Sequence, residues 1–307
     1  MESTGHCKED AVLSTPWRIL DFTSYHGRVT AGKGSLQAGG KEVPLADISV
    51  VIVGVDVDLH SSVFDRAAAF GFPILHCDWK GVPCSATWPW STHTRVAARH
   101  ISQSEMEIPR RKNAWMRIVR AKILGQAFNL RSDPESASYL LELSKRVRSG
   151  DPSNCEGQAA RYYWRRFFED STFRRVTQSR NSLNGMLDYG YTILRGGVVR
   201  SLVSAGLWPT LGVWHRNRGN VFALADDFVE PFRPAVDALV EGLCHQGASL
   251  DVTAKRALSA VLDNSFTERG YTVGTEINRL AQNFSRYAEG LERVLEVPSY
   301  GSEIEVG

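Results

Sequence analysis

The sequence predicts an α+β chain in two domains, a small β-rich N-terminal domain with one helix over residues 1–90 and a larger all-α domain over residues 95–307. Two patterns of apolar residues carry that reading. Up to Trp90 they come in short or alternating runs broken by glycine, the habit of strands and turns. Beyond Pro89 they recur every three or four residues, the habit of amphipathic helices. Charge changes with the texture: residues 95–200 hold 20 Lys+Arg against 10 Asp+Glu, whereas 1–94 hold 7 against 10 and 201–307 hold 9 against 14.

In chain order, WRILDFTS, GRVTAGKGSLQAGG, KEVPLADISVVIVG and FPILHCDWKGVPCSATW read as strands and turns. The glycine-rich GKGSLQAGG at 32–40 lacks the lysine-serine ending and following helix of a phosphate-binding loop, so a hairpin explains it better. One helix interrupts the strands at 61–71, with Val63, Ala67 and Phe70 on one face and Gly71 as its stop. Pro89–Arg95 reads as the linker. Helices are expected near 105–131, 135–148, 154–169, 181–205, 229–244, 253–263 and 275–295, the first from the recurrence of Trp115, Ile118, Val119, Ile123 and Ala127. Val297–Gly307 reads as a frayed acidic tail.

Composition excludes several classes. The longest apolar run, ISVVIVGV at 48–55, falls far short of the roughly 20 residues that span a bilayer, so no membrane is expected. The start of the chain has no basic leader followed by an apolar stretch, which argues against a secretory signal. Five cysteines at 7, 77, 84, 155 and 244 form no Cys-x-x-Cys pair, so neither a disulfide framework nor a structural zinc site is indicated, and a cytoplasmic home is expected. Arginine supplies 28 of the 36 basic residues, and its planar fork suits phosphate. A basic middle of this kind points to nucleic acid, although solvated helix faces would also be basic.

Within that basic setting stand four candidate ligands: Glu156, His215, Asp227 and Glu230. Each has a structural alternative. Ser153 and Glu156 have the spacing of a capping box, which would spend the glutamate on a helix start. His215, beside the turn-like Arg218, Gly219 and Asn220, could be an ordinary surface or core histidine. Asp226 or Asp227 could cap a helix, with Glu230 as a first-turn partner of its dipole. Against these, Asp227 and Glu230 stand three apart, on one helix face, and clustered carboxylates repel unless a cation joins them. Mg²⁺ or Mn²⁺ prefers such hard oxygen ligands, and Mn²⁺ tolerates an imidazole. His76, Cys77 and Asp78 end an apolar strand and read as structural.

EGQAARYYW, NSLNGMLDYGYTILR, GVWHRNRGNVFALADDFVEPFRP and, more weakly, ILHCDWKGVP resemble the CRISPR-associated integrase and endonuclease of spacer acquisition, in the form found beside type II systems and of the II-C kind. The resemblance implies a β-rich dimerisation and partner domain joined to a helical, metal-dependent catalytic and DNA-binding domain. Glu156, His215 and Glu230 fall on the family's metal-binding and catalytic positions, with Asp227 as an auxiliary ligand. Asp188 and Trp214 depart from residues common among relatives, without removing a ligand.

The implied reaction inserts captured DNA fragments into a CRISPR array by 3′-hydroxyl attack on phosphodiester bonds, with Mg²⁺ or Mn²⁺ as cofactor. Implied partners are double-stranded DNA (fragment and repeat), a second copy of the chain, a second spacer-acquisition protein and the RNA-guided effector nuclease. Arg161, Arg165, Arg174 and Arg175 are expected to hold the DNA backbone. Two alternatives use the same residues: a branched-DNA nuclease that does not integrate, and a non-catalytic DNA-binding scaffold whose acids only cap helices.

Overall fold

The structure, a computed structural model, describes residues 18–89, 93–168, 172–177 and 182–302. Residues 1–17, the middle of the expected linker at 90–92, residues 169 and 181 of two expected helices, and 303–307 of the expected tail lie outside the described residues.

Strands occupy the first part and helices the rest. One sheet holds β1 (Arg18–Phe22), β5 (Ile48–Val53), β7 (Ile74–Cys77) and β8 (Pro83–Thr87) in that order; β1, β5 and β7 run parallel, and β8 returns antiparallel to β7. The other holds β4 (Lys41–Pro44), β3 (Ser35–Ala38), β2 (Gly27–Ala31) and β6 (Val57–Leu59). The expected hairpin at 32–40 forms from β2 and β3. Gly39 and Gly40, both at positive φ (55° and 74°), close the next one onto β4, as a two-residue hairpin turn requires. The expected helix is α1 (Ser61–Phe70), stopped by Gly71 in the left-handed region.

The unbroken apolar run of β5 has a physical reason: all six residues are buried because both faces are covered. Val51 and Val53 join a small core with Val29, Leu36, Val63 and Phe72, while Val50 and Ile52 join the core of the helical part. The strand therefore serves as a wall between two cores.

Helix α3 (Ile108–Asn129) is the helix expected near 105–131, and α2 (Val96–Glu105), which precedes it, lies outside the expected helices. Pro109 fits the start of α3, since a residue without an N–H suits a first turn and not an interior. Next come α4 (Pro134–Arg146), α5 (Cys155–Trp164) and α6 (Ser182–Ser204). The helix expected near 229–244 is α8 (Arg233–His245), entered from the preceding α7 (Ala223–Val229) through a tight turn of 3₁₀ helix, Glu230–Phe232, with Pro231 and Pro234 at the two restarts. The chain closes with α9 (Val252–Ser259) and α10 (Val273–Ala288).

The expected frayed tail is corrected over its described part. Val297 and Ser299 are buried, and Tyr300 meets Phe128 edge-on at 5.4 Å, so the segment from 297 to 301 is part of the core. Asp78 turns the β7–β8 connection by accepting the N–H groups of Lys80 and Val82. His76 bonds Thr87, and burial pushes the Cys77 thiol up to about 12, so this trio is structural. Among the described residues the cysteines are free thiols, and no helix is long and apolar enough to cross a membrane.

Candidate active site

Glu156 opens α5, and the structure corrects the capping box. Asn154, in the left-handed region at φ 50°, accepts the N–H of Gly157 at 3.1 Å, while the carboxylate of Asp151 accepts the N–H groups of Cys155 and Glu156 at 2.8 and 2.9 Å. Two other side chains therefore satisfy the helix start. The Glu156 carboxylate is released from that task and reaches α3, where Lys122 Nζ donates to its Oε1 at 2.6 Å.

Glu230 meets the same ammonium. Its Oε2 lies 2.6 Å from Lys122 Nζ, and its Oε1 accepts from Arg233 Nε at 2.9 Å. The tight turn between α7 and α8 supplies this geometry, because it puts Glu230 and Arg233 side by side at the joint. Burial alone would raise the Glu230 carboxyl, but Arg233 and Lys122 overcome it and hold the group down at about 2. Burial likewise works to lower the Lys122 ammonium, and Glu230 and Glu156 together lift it above its ordinary value. Glu230 Oε2 is fully enclosed and has no well-aligned hydrogen bond, so the ion pair with Lys122 is its compensation.

His215 is held by Asp227. The aspartate is completely buried, and its Oδ2 accepts the N–H groups of Val213 and Trp214 at 2.7 and 3.1 Å. Its Oδ1 accepts the His215 N–H at 3.2 Å and pairs with His215 Nδ1 at 2.7 Å. Asp227 thus lies inside α7 and fastens the 213–215 loop; it is not the cap of the helix, and both its oxygens accept hydrogen bonds. Asp226 is no cap either, since its carboxylate takes Arg195 and Asn220.

Trp214 stacks on Trp115 at 5.4 Å with 3° between the rings, and the edge of His215 meets Trp115 at 5.8 Å. Imidazole orientation is fixed on two sides, and Nε2 is the ring nitrogen left for a ligand. The Asp227 hydrogen bond raises the His215 pKa, burial opposes it, and the charges of Asp227, Glu230 and Asp226 add to the rise.

The structure brings Glu156 and Glu230 onto one cation and leaves His215 close enough to feel the charge of Glu230. Among the described residues no three His, Cys, Asp or Glu side chains converge as a ready ligand cluster. The donor chemistry nevertheless fits a hard divalent cation: two carboxylates share one cationic position, with an imidazole nearby.

Of the expected DNA-binding arginines, Arg161, Arg165 and Arg174 are exposed. Arg175 is half-buried and committed to Asp188, Asn184 and the Val176 carbonyl. The charge of Asp188 is thereby matched. A cleft of about 900 Å³ between the β7–β8 turn and α6 reaches Arg175, Arg195 and Arg233 and does not include Glu156 or His215.

Lys122 and Arg233 were not among the candidate residues. The sequence held a signal for Lys122, a lysine one turn beyond Ile118 and Val119 on the apolar stripe of α3. A charge on a buried stripe needs a partner.

Fold and site together define the class: an α+β protein with strands leading into a helical body, and a pair of cation-bridged carboxylates beside an oriented histidine. The family described as CRISPR associated protein Cas1 matches residues 29–265, and the chain belongs to that family. It is 37% identical over 208 residues to the CRISPR-associated endonuclease Cas1 of Neisseria meningitidis, covering 67% of each chain. In fold it is similar to a casposase bound to integration product (TM-score 0.71, 19% identity, 91% of this chain and 92% of that one). It is also similar to a chain of a Cas6-RT-Cas1–Cas2 complex (TM-score 0.71, 18% identity, 95% of this chain and 36% of that one).

Proposed function

We propose that the chain is a metal-dependent DNA integrase that inserts captured fragments into a CRISPR array. The observation that carries this reading is the convergence of Glu156 and Glu230 on one cationic position beside the oriented imidazole of His215. Glu156, Glu230 and His215 would hold Mg²⁺ or Mn²⁺, which supplies Lewis acidity toward a phosphate when bound. Asp227 acts behind His215, keeping Nδ1 engaged and Nε2 directed to the ligand. Arg161, Arg165 and Arg174 hold duplex backbone by charge, without reading sequence, and Arg175 shapes the surface through Asp188.

In the reaction, a fragment's 3′-oxygen forms a bond to a repeat phosphorus as the bond from that phosphorus to the target strand's 3′-oxygen breaks. The number of phosphodiesters is conserved, and the proton of the attacking hydroxyl ends on the departing oxygen. The names of similar proteins, endonuclease for one and integration product for another, agree with this chemistry. The complex containing Cas2 supports the reading that a second acquisition protein is the partner. We extend the same reading to a two-domain chain divided near residue 90, working as a cytoplasmic homodimer with its first domain toward partners.

A second reading is favoured by the endonuclease name itself, namely hydrolysis of branched DNA with water as nucleophile. Purified protein and its partner, given a short duplex with 3′-hydroxyl ends and a supercoiled plasmid carrying the array, separate the two. Covalent joining is the expected result, and nicking alone would establish hydrolysis instead. Glu156→Gln and Glu230→Gln should each abolish joining; if both retain it, the site assignment is wrong.

A further inference from the structure

Lys122 stands where the two carboxylates need a cation. Its Nζ is 2.6 Å from Glu156 Oε1 and 2.6 Å from Glu230 Oε2, and its side chain is only 11% exposed. On the turns before it the same helix face is apolar, with Trp115, Ile118 and Val119 buried, so the ammonium lies at the edge of the core against these two partners. Glu230 retains Arg233 on its other oxygen, and Glu156 is more open at 28% exposure. The ion pair with Lys122 is thus the contact that brings the two acids to one point.

We propose that Lys122 is a positioning residue that stands in for the divalent cation: it holds Glu156 and Glu230 together before the metal enters, and is displaced when the metal binds. This rests on the reading of Glu156 and Glu230 as metal ligands. Without a cation two carboxylates at this separation, one buried, would repel and move apart, and a loosened site would have to be reassembled with each metal ion. A tethered ammonium avoids this collapse, at the cost of competing with the incoming ion.

A compact ammonium on a flexible four-carbon stem suits the task. It donates from three hydrogens without a fixed plane and can swing away as a unit. Arginine at this position would bind the carboxylates through a rigid fork and resist displacement.

Mn²⁺ binding to the full-length protein, measured by calorimetry and by thermal unfolding in chelator and in Mn²⁺, tests the exchange independently of activity. Lys122→Met should melt lower than the wild type in chelator, bind Mn²⁺ at least tenfold more tightly, and gain more melting temperature from Mn²⁺. Lys122→Arg should bind it more weakly than the wild type. Unchanged or weaker binding in a folded Lys122→Met protein would overturn the inference and leave the metal site standing.

Amine-reactive labelling of the wild type, read by mass spectrometry, covers a variant that fails to fold. Lys122 should become several-fold more reactive when Mn²⁺ is added, and constant or reduced reactivity would count against displacement. Mn²⁺ binding that survives both Glu156→Gln and Glu230→Gln would remove the metal from this site, overturning the inference together with the reading beneath it.

Discussion

Replacing Asp227 by asparagine changes one atom and tests the whole support of His215. In the wild type the carboxylate accepts four hydrogen bonds, two on each oxygen. Asparagine keeps one oxygen. With that oxygen turned to Val213 and Trp214, its NH₂ faces the His215 N–H and Nδ1–H, donor against donor. Two bonds to a charged acceptor are lost at about 1.5–3 kcal/mol each, in a position with no access to water. A loss of about 4 kcal/mol is expected, equivalent to a melting temperature lower by roughly 8–12 °C.

Thermal unfolding followed by circular dichroism in chelator measures that loss without involving the metal. Two companion readouts separate positioning from stability. The His215 imidazole, titrated by NMR, should fall toward its ordinary pKa, because the hydrogen bond that raises it is gone. Joining should drop by about 10–100-fold at temperatures where the variant is folded, the usual range for losing the partner of a ligating histidine. A variant that melts within 2 °C of the wild type, as a rough bound on that scale, with unchanged His215 titration, would refute the claim that Asp227 holds the loop.

Three further outcomes follow from other parts of the molecule. Gly212→Ala would place a Cβ 2.6 Å from the His215 carbonyl and 3.0 Å from Asp227 Oδ2, so joining should fall with a modest drop in melting temperature; full activity would mean the loop yields easily. The double change Arg161→Ala, Arg165→Ala should weaken duplex binding equally for all sequences and reduce the salt slope by roughly 1–2, checked by titration at several salt concentrations. Burial raises the Asp237 carboxyl from 3.8 to about 7, against the hydrogen bond from Tyr191. The folded state therefore holds more protons than the unfolded one between those values, and stability should fall as pH rises through that window by up to about 1.4 kcal/mol per unit, then level off. Asp237→Asn should flatten that slope, as denaturant unfolding at several pH values would show.

Much of this was legible in the chain. Helix α3 shows what local pattern can supply: the recurrence of Trp115, Ile118, Val119, Ile123 and Ala127 marks it over most of its length, and Pro109 marks its first turn. Glu156 illustrates the opposite case. Its spacing from Ser153 fits a capping box, yet Asp151 and Asn154, both at positive φ, take the N–H groups of Cys155, Glu156 and Gly157 at the helix start instead. Asp227 was legible as an acid of the site and not as a support, since nothing in one segment tells whether an oxygen faces a cation or the loop 12 to 14 residues earlier.

By itself the sequence determined that strands come first and helices after, the basic middle, and Glu156, His215 and Glu230 as candidate residues. Those properties are written in short-range periodicity, composition and local motif, each contained within a few turns of chain. Only the tertiary structure decided that Lys122 occupies the point between the two carboxylates, although it stands 34 residues from Glu156. That meeting depends on how α3, α5 and the α7–α8 joint pack, and partial burial then strengthens the attraction between the charges because less water screens them.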